Sequence, residues 1–299
     1  MNRLVEGRVV IVTGAGRGIG RAHALAFAAE GARVVVNDLG ASPDGSGGES
    51  GPAQDVVDEI RAAGGEAVAN TDDVADWAGA SRLVSTALEF FGGLDVLVNN
   101  AGFVRDRMLV NLTEDEWDDV VRVHLKGHFA PMRHAAEYWR AESKAGRGRV
   151  ARVINTSSGA GLLGSVGQGN YSAAKAGILG LTTVAAAEFG RYGVTVNAIA
   201  PAARTRMTEA TFDMTAPDSG FDAMAPENVS PLVVWLGSVE SAGVTGRVFE
   251  VSGGQVGLAD GWRHGPVRVK GTRWAPAELG PVVAELLAEA VDPEPVYGA

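Results

Sequence analysis

The stretch Val9-Val10-Ile11-Val12-Thr13-Gly14-Ala15-Gly16-Arg17-Gly18-Ile19-Gly20 decides the fold. Its first half is a β-branched run that reads as a buried strand. The run enters glycines directly, and a helical pattern follows over residues 18–30. Glycines in such a turn adopt positive φ and let backbone approach a ligand closely. The helix N-terminus then presents free N–H groups and a partial positive charge, which suit a pyrophosphate. The spacing is not G-x-G-x-x-G, because residue 19 is Ile; it reads T-G-x-x-x-G-x-G through Thr13, Gly14, Gly18 and Gly20. Strand, glycines and helix in this order point to dinucleotide binding, with Gly14, Arg17, Gly18, Ile19 and Gly20 at the phosphates.

Outward from this stretch, apolar β-branched runs alternate with amphipathic ones. Strands are expected over 8–13, 33–38, 66–70, 94–99, 152–156, 194–199 and 247–251. Helices are expected over 18–30, 52–63, 77–91, 113–143, 171–191 and 226–236. Seven strands separated by helices predict a Rossmann-type, doubly wound parallel α/β sheet with helices on both faces. An eighth strand would be needed for a TIM barrel. Pro131, inside the long helical stretch, predicts a kink because it cannot donate to the Gly127 carbonyl.

Residues 41–51 are rich in Gly, Ser and Pro and read as a surface loop. Residues 205–225 lack periodicity and read either as a lid over a substrate pocket or as an ordinary connection. The sheet pattern is expected to finish by Gly257, which divides the chain into a dinucleotide-binding catalytic domain, 1–256, and an extension, 257–299. The extension, with a short helix near 276–288, would pack on the same domain or on a neighbouring subunit. Its Trp262 and Trp274 are expected to pack, or else to line a neighbour's pocket.

The chain has 299 residues, enough for one large domain, and a formal net charge of −10. That charge repels nucleic acid and anionic lipid. With no cysteine, thiolate metal sites, disulfides and cysteine nucleophiles are excluded; no metal is expected. No signal-peptide pattern and no membrane-spanning run is present, so a cytoplasmic protein is expected.

Asp38 closes the second strand, 24 residues after Gly14. A carboxylate there accepts hydrogen bonds from the adenosine ribose and repels a 2′-phosphate, which favours NAD over NADP. Arg17 tempers this, since a cation in the turn could reach a 2′-phosphate. Asp73-Val74 is placed to meet the adenine, and Asn99-Asn100-Ala101-Gly102 to fix the turn against the cofactor.

Tyr171 and Lys175 stand four apart on one helical face. A free tyrosine has a pKa of about 10, too high for general-base work near neutrality. An ammonium beside it, with the positive charge of a nicotinamide, would lower that pKa. Ser158, 13 residues earlier, could polarise a carbonyl or orient an alcohol.

Through TGAGRGIG, NNAG, NTSSGAG and YSAAK the chain resembles the short-chain dehydrogenase/reductase family over roughly residues 6–255. The resemblance implies a catalytic Ser158–Tyr171–Lys175 group, with Tyr171 and Lys175 also touching the cofactor. The segments VVVNDLG, AGGEAVAN, RDRMLVNLTEDEWDDVVRVHLKG, GQGNYSAAKAGILGL and APENVSPLVVWL narrow it. They are similar to the (3R)-hydroxyacyl-CoA dehydrogenase part of peroxisomal multifunctional enzymes of type 2, and to actinobacterial dehydrogenases of fatty-acyl and steroid breakdown. A 3-hydroxyacyl-CoA or steroid-derived hydroxy compound is the implied substrate. Two departures stand out. The family's catalytic asparagine is replaced by His124, which could relay protons or fill a helix interface. The family's Pro-Gly after the sixth strand is Pro201-Ala202, and Thr205-Arg206-Met207 comes one residue early, so Pro201 and Thr205 are the candidates for the carboxamide side.

The helix 171–191 is apolar around its circumference, as expected of a surface for self-association unless the extension covers it. The family resemblance extends this from dimer to homotetramer. Two other functions remain open: an NADPH-dependent 3-ketoacyl reductase, and a non-catalytic dinucleotide-binding sensor.

Overall fold

A computed structural model describes residues 3–40, 51–205, 220–259 and 261–298. The β-branched runs form strands β1 (Val9–Thr13), β2 (Arg33–Asn37), β3 (Glu66–Asn70), β4 (Val96–Asn99), β5 (Ala151–Thr156), β6 (Val194–Ala202) and β7 (Val248–Ser252). All pair in parallel, in the order β3-β2-β1-β4-β5-β6-β7. The order reverses at β1, whose neighbours are β2 and β4. This opens a crevice beyond the C-terminal strand ends, where doubly wound sheets bind ligands.

The sheet has eight strands, one more than expected. β8 (Gln255–Ala259) runs antiparallel to β7 through a hairpin whose two central residues are Gly253 and Gly254. Gly253 has φ +53°, the left-handed conformation that tight hairpins need. The sheet therefore continues past Gly257.

Helices α1 (Gly18–Ala29), α2 (Gly51–Ala62) and α8 (Ser230–Gly237) cover one face. Phe27, Val34, Ile60 and Leu236 are buried there. Helices α3 (Trp77–Phe91), α5 (Gly127–Lys144) and α7 (Gly169–Phe189) cover the other over Ile11, Leu83, Leu97 and Trp139. Burying each such side chain contributes about 1.5–3 kcal/mol. Helix α4 (Glu114–Val121) precedes α5, and the short α6 (Gly159–Leu163) follows β5.

The single helix expected over 113–143 is instead α4, a π turn over Arg122–Lys126, and α5. Thr113 and Glu116 form a capping box that starts α4. The Gly127 N–H reaches back to the Arg122 carbonyl to close the π turn. Pro131 lies inside α5, and the irregularity sits one turn before it. Such bulges are common beside functional sites.

In the extension, helix α9 (Leu279–Glu289) has no buried residue, and Trp262 is fully exposed. Trp262 therefore does not pack on its own chain. Trp274 is partly covered, with Lys270 Nζ 5.3 Å from its ring centre. Residues 41–50, and residues 206–219 of the expected lid, lie outside the described residues.

Candidate active site

The crevice at the strand ends is a cleft of about 460 Å³. Its lining includes Gly14, Arg17, Gly18, Ile19, Gly20, Asp38, Asp73, Val74, Asn100, Ala101, Gly102, His124, Ser158, Tyr171, Lys175, Pro201 and Thr205, but not Thr13 or Asn99.

Its floor is tied together by backbone and amide contacts. Thr13 Oγ1 accepts from the Asn100 and Ala101 N–H groups at 2.9 and 3.1 Å. Asn100 Nδ2 donates to the Thr13 and Gly14 carbonyls. Gly14 has φ +61°, and a β-carbon there would lie 2.7 Å from Ala101 Cα. Only glycine lets the turn and the end of β4 close this tightly.

The Asp38 carboxylate is held at both oxygens. Oδ2 accepts from Gly16 N–H at 2.8 Å and Oδ1 from Gly40 N–H at 2.7 Å. Each oxygen keeps a lone pair for a ligand hydroxyl. Gly16 is the residue that sequence reasoning missed here. A β-carbon on it would lie 2.9 Å from the Asp38 carboxyl carbon and 2.7 Å from Pro52 Cβ. Its signal was its place as a middle glycine of the turn.

Arg17, the N-cap of α1, makes no side-chain capping bond, so no side chain competes for the helix's first N–H groups. Asp73 accepts from the Ala75 N–H at 2.8 Å and from Arg122 Nη1 at 2.7 Å, which anchors this wall of the cleft to the π turn. Glycine cradle, oriented carboxylate and open helix terminus together fit a dinucleotide.

At the other end, β5 stops at Thr156 and delivers Ser158, which caps α6 by accepting from the Ala160 N–H at 3.2 Å. Tyr171 and Lys175 enter from the first turns of α7. Lys175 is buried and its Nζ donates to the Thr156 carbonyl at 2.7 Å. Ser157 Oγ donates to the Lys175 carbonyl at 2.9 Å, which pins the helix to β5.

The expected lowering of the Tyr171 pKa is not a property of the protein by itself. Burial pushes this phenol up; the hydrogen bond with Ser158 opposes that, and the Asp106 charge adds to it. Lys175 sits 5.4 Å from the phenol ring centre, and burial pulls its own pKa down to about 7. The desolvation that positions both groups weakens the charge each would offer the other.

His124 is buried on the π turn, its ring edge-on to Tyr171 with centres 5.1 Å apart. Its Nε2 lies 2.6 Å from the Phe103 carbonyl and 3.1 Å from the Phe103 N–H. Both contacts cannot be hydrogen bonds to one nitrogen. The closer carbonyl requires a proton on Nε2, so the ring donates there. Nδ1 is left bare and without a partner. Burial and the nearby Lys175 charge hold His124 well below the usual histidine range, and hence neutral.

Among the described residues no group of His, Asp and Glu could hold a metal, and no helix is long and apolar enough to cross a membrane.

The family model for short chain dehydrogenase matches residues 8–216. Hydroxyacyl-CoA dehydrogenase ChsB1 of Mycobacterium tuberculosis is 47% identical over 306 aligned positions, covering 99% of this chain and 93% of that protein. Peroxisomal multifunctional enzyme type 2 of Mus musculus is 47% identical over 252 positions, covering 84% of this chain but 32% of the longer enzyme. A crystal structure of a short chain dehydrogenase from Mycobacterium avium is 69% identical, with a TM-score of 0.90 and coverage of 99% of this chain and 100% of that one. With the glycine turn, Ser158, Tyr171 and Lys175 gathered on one cleft, the chain belongs to the short-chain dehydrogenase family and is an oxidoreductase of the nicotinamide dinucleotide class.

Proposed function

We propose that the chain oxidises the secondary alcohol of a 3-hydroxyacyl-CoA, or of a steroid-derived hydroxy compound, with NAD as the acceptor. The convergence of Ser158, Tyr171 and Lys175 opposite the glycine turn carries the alcohol chemistry. The Asp38 carboxylate, fixed by Gly16 and Gly40 and facing the place of the adenosine ribose, supports NAD. The hydroxyacyl-CoA dehydrogenase named above supports the acyl-CoA part of this reading.

Bound in the cleft, the nicotinamide supplies the hydride acceptor. Gly14 and residues Arg17–Gly20 would cradle the pyrophosphate, and Asp73-Val74 would border the adenine. Asn100-Ala101-Gly102, Pro201 and Thr205 would border the nicotinamide half. Ser158 orients the substrate oxygen, and Tyr171 takes its hydroxyl proton as the phenolate, the form that the positive charge of a bound nicotinamide and of Lys175 beside the ring would favour. The alcohol thus loses one proton to Tyr171 and one hydride, and leaves as a ketone. His124 is a positioning residue, because a neutral ring bonded to the Phe103 backbone holds the loop after β4 against Tyr171.

Self-association is part of the same reading. Phe129 and Val184 expose large apolar surface beside Leu125 and Leu181, in a shallow groove between α5 and α7. A second copy meeting this face across a two-fold axis would cover it.

The test is initial-rate NADH formation with matched 3-hydroxyacyl-CoA and free-alcohol substrates, a steroid pair included, and NADP as the competing acceptor. Turnover of the thioesters with NAD preferred is expected. Turnover of free alcohols alone would overturn the CoA assignment, and preference for NADPH-driven reduction would overturn the choice of NAD.

A further inference from the structure

The end of the chain returns to the catalytic loop. Tyr297 bridges Ser165 in parallel: the Val166 N–H donates to the Tyr297 carbonyl at 2.9 Å, and the Tyr297 N–H donates to the Gly164 carbonyl at 3.2 Å. The Tyr297 ring lies over Gly159, the residue after Ser158. A β-carbon at Gly159 would sit 2.9 Å from the phenol oxygen and 3.0 Å from Cε2. The preceding Pro293 and Pro295 restrict the segment before it docks, which lowers the entropy lost on docking.

Leu109 leans on Gly169, two residues before Tyr171. Leu109, Val166, Val296 and Tyr297 all remain exposed. Exposed apolar side chains therefore pack on backbone next to both catalytic residues, Tyr297 on Gly159 beside Ser158 and Leu109 on Gly169 near Tyr171. Exposed apolar surface grouped beside a site favours binding of an apolar group there.

We propose that Tyr297 is a specificity-determining residue: its ring is the Ser158-side wall of the groove that takes the apolar body of the substrate, an extended acyl chain or fused rings. The inference rests on the reading of the chain as a secondary-alcohol dehydrogenase. A half-exposed ring gains by being covered with hydrocarbon, and a short substrate cannot reach far enough to cover it.

The test is KM and kcat for short-chain and long-chain members of two series, 3-hydroxyacyl-CoA thioesters and free secondary alcohols, with full-length wild type, Tyr297→Ala and Tyr297→Phe at saturating NAD. Tyr297→Ala should raise KM for the long-chain member by about tenfold, and for the short-chain member by less than about twofold, with kcat moved little. Tyr297→Phe should behave as wild type, because the wall is the ring. An active wild type whose long-to-short KM ratio is unmoved by Tyr297→Ala would overturn the inference while leaving the dehydrogenase reading in place. A wild type inactive on both series would overturn the dehydrogenase reading, and this inference with it.

Discussion

Lys175 Nζ donates to the Thr156 carbonyl at 2.7 Å, and burial alone accounts for the fall of its pKa to about 7. Between that value and the 10.5 of an unburied lysine, the unfolded chain binds a proton that the folded chain refuses. Stability of the cofactor-free protein should therefore rise as pH rises from about 7 towards 10.5. The slope from this residue should approach about 1.4 kcal/mol per pH unit. Urea denaturation at several pH values in this window measures it, and Lys175→Met should flatten the slope. Equal slopes in the two proteins would contradict the assignment.

Asp38 is locked to the glycine turn by Gly16. Asp38→Ala should lower the NAD-to-NADP ratio of kcat/KM by at least about tenfold, the value of one charge-assisted hydrogen bond. Gly16→Ala should weaken binding of both cofactors, since its methyl meets the carboxyl and Pro52. Titration of each variant with NADH and NADPH checks both outcomes; an unchanged cofactor ratio in Asp38→Ala would count against the ribose contact.

His124 spends Nε2 on the Phe103 backbone and stays neutral. His124→Asn should reduce kcat by no more than about tenfold and add or remove no ionisation in the pH–rate profile between about 5 and 8. Loss of an ionisation from that profile would make the histidine a proton carrier instead of a support.

The parallel strands were legible because runs such as VVIVT and RVVVN, buried on both faces, are built mainly of β-branched residues. β8 was not, since QVGLA has a central glycine and three exposed positions, and its one signal was the Gly253-Gly254 pair before it. The π turn was hidden for a related reason: helical periodicity over one extra residue looks like an unbroken helix. Side chains with chemistry announced themselves by spacing, as Tyr171 and Lys175 did. Groups that act through the backbone, such as the Thr156 carbonyl, or through empty space, such as Gly16 and Gly159, left little trace. Tyr297 had none, because its meeting with Gly159 is made by tertiary structure alone.

Val184 is exposed on the apolar face of α7, beside Phe129 of α5. Val184→Lys should shift the protein to a smaller species in sedimentation velocity at micromolar concentration. A charge there costs little in a monomer and several kcal/mol when buried unpaired between two copies (about 3–5). A wild type that sediments as a monomer would remove the self-association surface.

In the proposed reaction Tyr171 moves the proton while the rest of the cleft holds the dinucleotide. Tyr171→Phe keeps the ring against His124 and removes only the hydroxyl. The deciding measurement is turnover of the best alcohol substrate by this variant, alongside its NADH dissociation constant by fluorescence titration. The expected result is a fall in kcat of about a thousandfold or more, with NADH affinity within about twofold of wild type. A variant that binds NADH as before and still turns over within about tenfold of wild type would contradict the account.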